Sequence, residues 1–181
     1  MKPIKKAIDI YDDFLSSSQQ NLIYNIVQCS FFKIDRADSE DPRHRAFPNL
    51  HSEYSFEDVK KLKILNPVLE KLKDKNITID NYVRCHINLT KPLDVHFIHT
   101  HPYEEIGVLY YCDLTWSQEW GGETLFYEDN RKDIRFAGQY TPNRLIIFDG
   151  DIPHTIKPQN LLGPSYRFSV SIFFNKTDKP K

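Results

Sequence analysis

The chain has 181 residues, 40% hydrophobic and 13% aromatic, enough for one domain whose core needs no disulfide or metal staple. Its 24 basic and 25 acidic side chains leave a formal net charge of −1, and no basic block exceeds Lys60-Lys61-Leu62-Lys63, so charge argues against a nucleic-acid partner. Cys29, Cys85 and Cys112 stand far apart, which argues against a disulfide framework or thiolate zinc site and for reduced thiols in the cytoplasm. The start, Met1-Lys2-Pro3-Ile4-Lys5-Lys6, leads into Asp9 rather than an apolar run and is not read as a signal peptide. No stretch is long and apolar enough to span a membrane.

In chain order, serines 16–18 precede Leu22, Ile23, Ile26 and Val27, a capped helix with one apolar face. The polar stretch 35–48 carries two prolines and neither period, and reads as a loop. Across 55–75, Val59, Leu62, Leu65, Val68, Leu69 and Leu72 recur at helical spacing, with Pro67 breaking or restarting the helix. Beyond Ile77 the pattern changes to short β-branched and aromatic runs between turn residues, at 82–88, 95–99, 107–113, 123–127, 134–136, 144–148, 154–156 and 166–174. Eight strands after two helical regions predict a β-rich α+β fold, a double-stranded β-helix (jelly roll) with N-terminal supporting helices. The expected layout is one domain over 1–181, with 1–78 mainly helical support and 79–176 the roll.

Alternation then assigns faces. Arg167, Ser169 and Ser171 share one side of the last strand, and Phe168, Val170 and Ile172 the other. The same count places Val95, Phe97, His99 and His101 together, away from His96. Two histidines two residues apart can present imidazoles to one divalent metal, although imidazole does not select among Fe, Zn, Cu and Ni. His154 follows a Gly-Asp turn, and Arg167 lies thirteen residues later. His44, His51, His86 and His96 show no partner pattern and receive no role. Gly121 and Gly122 read as a solvated turn, as do Glu104 and Glu105, while Trp116 and Trp120 read as packing residues.

The stretch 81–175 resembles the prolyl 4-hydroxylase-like branch of the Fe(II)/2-oxoglutarate oxygenases, including its small bacteriophage-type members. The resemblance is carried by His99-Thr100-His101-Pro102, Gly107-Val108-Leu109-Tyr110-Tyr111 ahead of Trp116, Trp120-Gly121-Gly122-Glu123-Thr124-Leu125-Phe126, the segment 144–154, and Tyr166-Arg167-Phe168-Ser169. It implies an Fe(II) site with His99, His101 and His154 as metal-site residues, and 2-oxoglutarate as co-substrate with its C5 carboxylate on Arg167. Tyr111 and Ser169 become hydroxyl partners of that co-substrate. The implied reaction consumes O2, hydroxylates a peptidyl (by default prolyl) or small-molecule substrate, and releases succinate and CO2.

One position departs from the family pattern, because His101 stands where it has aspartate. A neutral imidazole in place of a carboxylate leaves the metal site one unit more positive, which favours Fe(II) over higher oxidation states. Three arrangements remain open: three histidines, His101 turned aside, or a carboxylate supplied by Glu104 or Glu105. Two further readings stand beside the oxygenase. One is a cupin-type dioxygenase using His99, His101, Glu105 and His154; the other is a non-catalytic metal-binding roll.

Overall fold

Ser16 opens the first helix, α1 (Ser17–Gln28), by accepting the Gln19 N–H while the Gln19 side chain accepts the Ser16 N–H. This reciprocal cap satisfies two donors that the helix cannot satisfy internally. The helix buries Ile23 and Val27, as its apolar spacing requires. The second helical region divides into α3 (Phe56–Lys61), capped by Ser55, and α4 (Leu65–Leu72). Pro67 lies in the first turn of α4, where a missing N–H costs no intrahelical bond, so it marks a restart. The computed structural model describes residues 7–177, and the basic start at 1–6 lies outside them.

Seven of the eight predicted runs are strands: β4 (Tyr82–Thr90), β5 (Glu105–Tyr111), β6 (Thr124–Tyr127), β7 (Ile134–Gly138), β8 (Leu145–Asp149), β9 (His154–Ile156) and β10 (Arg167–Asn175). The run 95–99 is the exception. It is irregular, touching the sheets only through a bridge from His99 to His154. Three more strands, β1 (Ile8–Tyr11), β2 (Lys33–Arg36) and β3 (Asn49–Tyr54), lie inside the stretch expected to be mainly helical. The loop expected at 35–48 also contains one short helix, α2 (Pro42–Arg45).

These strands form a seven-stranded antiparallel sheet, β1-β8-β5-β10-β4-β3-β2, and a three-stranded sheet, β7-β6-β9. The helices cover one face of the larger sheet. Ile23, Val27, Val59, Val68 and Leu72 pack there with Ile87, Tyr110, Val170 and Ile172. Each fully buried aliphatic side chain of this kind stabilises the fold by about 1.5–3 kcal/mol. On the opposite face, Leu109, Tyr111, Ile146 and Phe148 meet Phe126 of the smaller sheet, closing the roll at one end. The fold is thus the predicted double-stranded β-helix braced by helices.

Alternation on β10 holds as expected. Phe168, Val170, Ile172 and Phe174 enter the helix-side core, while Ser171 and Phe173 line the interior of the roll. All three cysteines are free thiols, with Cys85 and Cys112 buried. No helix among the described residues is long and apolar enough to cross a membrane.

Candidate metal centre and carboxylate pocket

The mouth of β9 brings the three predicted histidines together. His99 and His154 exchange backbone hydrogen bonds of 3.0 Å in each direction, and the His101 N–H donates to the Gly150 carbonyl at 2.8 Å. One candidate ligand atom from each of His99, His101 and His154 lies within 4.8 Å of the others, the single such cluster among the described residues. The rings of His101 and Phe173 meet edge-on at 4.4 Å, which holds His101 toward the cluster.

Two of the imidazoles are oriented alike. His99 Nδ1 lies 3.0 Å from the Phe97 carbonyl, and His154 Nδ1 lies 2.8 Å from that of Ile152. A carbonyl only accepts, so each Nδ1 carries the proton and each Nε2 keeps its lone pair for a cation. Burial lowers the pKa of all three rings, that of His154 to about 3, so they are neutral near pH 7. Neutral imidazoles are what a divalent metal requires.

The carboxylates considered as substitutes for the family's aspartate are committed elsewhere or exposed. Glu105 is buried in a two-point pair with Arg84, with Nη2 to Oε2 at 2.7 Å. Glu104 is exposed on its turn. This counts against a carboxylate ligand from either residue, and against the four-ligand cupin set, which needs Glu105. It also corrects the reading of Glu105 as a solvated turn residue.

Arg167 is 0% exposed, and its Nε, Nη1 and Nη2 have no hydrogen-bond partner among the described residues. Its guanidinium carbon lies 4.3 Å from the Tyr140 ring centroid and 5.3 Å from that of Tyr111. Aromatic faces compensate a buried cation only partly. Asp113 is the neighbouring anion, but it accepts from the Tyr140 hydroxyl at 2.5 Å and the Phe168 N–H at 3.1 Å. Burial raises the pKa of Asp113, while the charge on Arg167 opposes that rise. A guanidinium left in this state is disfavoured unless an anion arrives. The five-donor fork fits a carboxylate.

Hydroxyls near that fork divide into engaged and available. The Ser169 and Thr90 hydroxyls are buried without partners, and Thr90 sits directly opposite Arg167 in the register of β10 with β4. The Tyr111 hydroxyl instead lies 2.9 Å from Thr124 Oγ1 and 3.1 Å from the Gly138 carbonyl. Nothing along the chain marks Thr90, because only strand register pairs it with an arginine 77 positions later.

Gly122 is likewise more than a turn residue. At φ +87°, a Cβ there would lie 3.0 Å from Trp116 Cζ2 and 3.2 Å from Arg167 Cδ and Nε. The backbone therefore lies against the arginine where any side chain would press on it. Gly122→Ala is expected to destabilise the protein by about 1–3 kcal/mol through its backbone conformation. By misplacing the guanidinium it should also weaken the binding of whatever anion Arg167 would hold about tenfold. Urea denaturation and 2-oxoglutarate titration check the two effects separately.

Between the sheets, a cavity of ≈ 150 Å³ opens onto the histidine cluster and reaches Arg36, Asp38, His51, His86, Asn88 and His96. Three histidines without a predicted role thus lie at the site. The pKa of His86 is lowered to about 3, chiefly by burial and then by Arg36 and Arg84, and neither ring nitrogen has a partner. His96 faces the cavity beside Asp38, contrary to the strand count that put it opposite His99, because 95–98 is not a strand.

The double-stranded β-helix that carries this histidine cluster is similar in fold to solved 2-oxoglutarate oxygenases. A Pseudomonas putida prolyl-4-hydroxylase is 11% identical, with a TM-score of 0.73 over 95% of this chain and 94% of that one. A prolyl hydroxylase from Trichoplax adhaerens, solved with a hypoxia-inducible-factor peptide fragment, is 17% identical, with a TM-score of 0.67 over 95% and 84%. HygX from Streptomyces hygroscopicus, solved with nickel and 2-oxoglutarate bound, is 9% identical, with a TM-score of 0.64 over 95% and 84%. No protein-family profile and no curated protein matches the chain. At these identities the likeness establishes the fold: the chain has the fold of the prolyl-hydroxylase-like 2-oxoglutarate oxygenases.

Proposed function

We propose that the protein is an Fe(II)- and 2-oxoglutarate-dependent dioxygenase that hydroxylates a peptidyl or small-molecule substrate and releases succinate and CO2. The observation that carries this reading is Arg167, a fully buried guanidinium without a hydrogen-bond partner among the described residues. A structural metal site gives no reason to bury an unpaired cation; a dicarboxylate co-substrate does.

His99, His101 and His154 would hold the metal. Bound there, Fe(II) supplies the redox chemistry that couples O2 and 2-oxoglutarate to C–H hydroxylation. The protein's part is binding, orientation and exclusion of water. Phe97 and Ile152 carbonyls fix two imidazole tautomers. Arg167 anchors the far carboxylate of the co-substrate, with Ser169 and Thr90 offering hydroxyls. Tyr111 contributes its ring beneath the guanidinium rather than a free hydroxyl.

The cavity walls formed by His51, His86 and Asn88 leave polar groups facing the metal side, where a substrate would lie. A peptide fragment bound by the Trichoplax hydroxylase supports a peptidyl, including prolyl, substrate. Free thiols throughout support action in the reducing cytoplasm.

The test is succinate formation by anaerobically Fe(II)-loaded protein after addition of 2-oxoglutarate and O2. Uncoupled turnover without substrate is expected to be slow but measurable, and lost on chelation. Absence of both Fe(II) binding and succinate in the parent and in His101→Asp would sink the oxygenase reading.

A further inference from the structure

The carboxylate that position 101 lacks has a replacement in an unexpected part of the chain. Asp38 belongs to the segment between β2 and α2, which reads from the sequence as an unstructured polar loop. It lines the cavity, and its side chain is 7% exposed. One oxygen, Oδ1, lies 3.9 Å from His99 Nδ1 and 3.8 Å from His96 Nδ1. That oxygen also accepts from Asn49 Nδ2 at 2.8 Å, and Oδ2 accepts from the Phe97 N–H at 2.5 Å.

The carboxylate is therefore clamped from two sides against the edge of His99 that faces away from the cluster. Asn49 lies on β3, so the clamp is anchored in the large sheet. The rest of the loop is fastened to the same segment: the His44 ring stacks on Phe97 at 3.9 Å, and Phe47 packs against it at 5.7 Å. Neither contact needs a charge at position 38. A buried anion facing a histidine's Nδ1 does need a reason, since desolvation opposes it.

Resting on the oxygenase reading, we propose that Asp38 is a positioning residue that supplies through His99 the negative charge missing at position 101. An anion beside the N–H edge makes the opposite nitrogen a stronger donor to a cation and fixes the ring's orientation. At such separations in a buried site the coupling is Coulombic and needs no direct ligation by the carboxylate. The three-histidine site then works as a three-histidine-plus-remote-carboxylate site. Arg84 is paired to Glu105, while Arg36 in the same cavity wall and His96, with Nδ1 3.8 Å from Oδ1, share the field of this carboxylate with His99.

The test is anaerobic titration with Fe(II) alone, read by competition with a chromophoric chelator, in four proteins: the parent, Asp38→Asn, His101→Asp and the double variant. Asp38→Asn keeps the size and one acceptor for the Phe97 N–H while removing the charge and the bond accepted from Asn49. It is expected to weaken Fe(II) binding about 10–100-fold, as outer-shell substitutions do. With the carboxylate restored by His101→Asp, the same change should cost less than about threefold, a coupling only a shared role produces. Collapse of the loop would instead give the same loss in both backgrounds. Equal loss, or an unchanged Kd in Asp38→Asn, overturns the proposal while leaving the metal site intact. Failure of the parent to bind Fe(II) overturns the metal reading itself, and this proposal with it.

Discussion

Arg167→Met is expected to make the protein alone more stable and to abolish its thermal response to 2-oxoglutarate. In the parent, the guanidinium is fully buried with all three nitrogens unpartnered. Replacing buried ionic groups by apolar residues of similar volume is neutral or stabilising by about 1–4 kcal/mol. For a chain of this size each kcal/mol is worth about 2–4 °C. Methionine keeps the packing against Tyr140 and Tyr111 that the arginine stem and fork now occupy. Asp113 loses a neighbouring cation but keeps its bonds from Tyr140 and the Phe168 N–H, and burial already favours its protonated form.

The functional cost runs the other way. At a concentration one hundred times Kd, a co-substrate that binds only the folded state stabilises it by about 2.7 kcal/mol. Arg167→Met should show none of that gain. Loss of a desolvated charged contact costs roughly 2–5 kcal/mol, so the 2-oxoglutarate KM should rise by roughly 30-fold to 4,000-fold. Thermal unfolding of parent and variant, with and without 2-oxoglutarate, separates the two effects. A variant less stable than the parent and still responsive to 2-oxoglutarate would remove Arg167 from the site.

This opposition between stability and binding explains which parts of the fold can be read from the chain. The apolar period of α1 and the alternation of β10 are consequences of burial on one face, and burial writes itself into local sequence. The strands β1, β2 and β3 leave a weaker mark. β2 is an edge strand of four residues, three of them exposed, so it has no buried face to pattern. The run 95–99 has strand-like composition, yet its backbone is held by Asp38 and by stacking on His44, contacts from a distant loop.

The site divides along the same line. His99, His154 and Arg167 stand in motifs whose spacing can be read along the chain, and the fold brings both histidines to one mouth. Thr90, His86, His96 and Asp38 are brought to these residues only by register and loop docking. No spacing along the chain records that Asn49 holds Asp38, or that Glu105 is taken by Arg84. For that reason the surroundings of His101 are not legible along the chain.

His101 is where the second large effect is expected. His101→Ala should weaken Fe(II) binding by more than about 100-fold, because removal of an outer-shell partner alone costs 10–100-fold and this residue would face the cation directly. Three observations point to a ligand rather than a bystander. Its candidate donor atom converges with those of His99 and His154; Phe173 packs on the ring edge-on; and burial, reinforced by the two neighbouring histidines, drives its pKa down so that it offers a neutral lone pair. His101→Asp should bind Fe(II) at least as tightly as the parent, since a carboxylate adds a unit of negative charge where three neutral rings now stand. The two variants thus move in opposite directions from one position. Parallel Fe(II) titrations and succinate assays decide it: equal weakening by both substitutions would show that the site needs imidazole specifically, whereas no weakening by alanine would show that His101 stands outside the metal site.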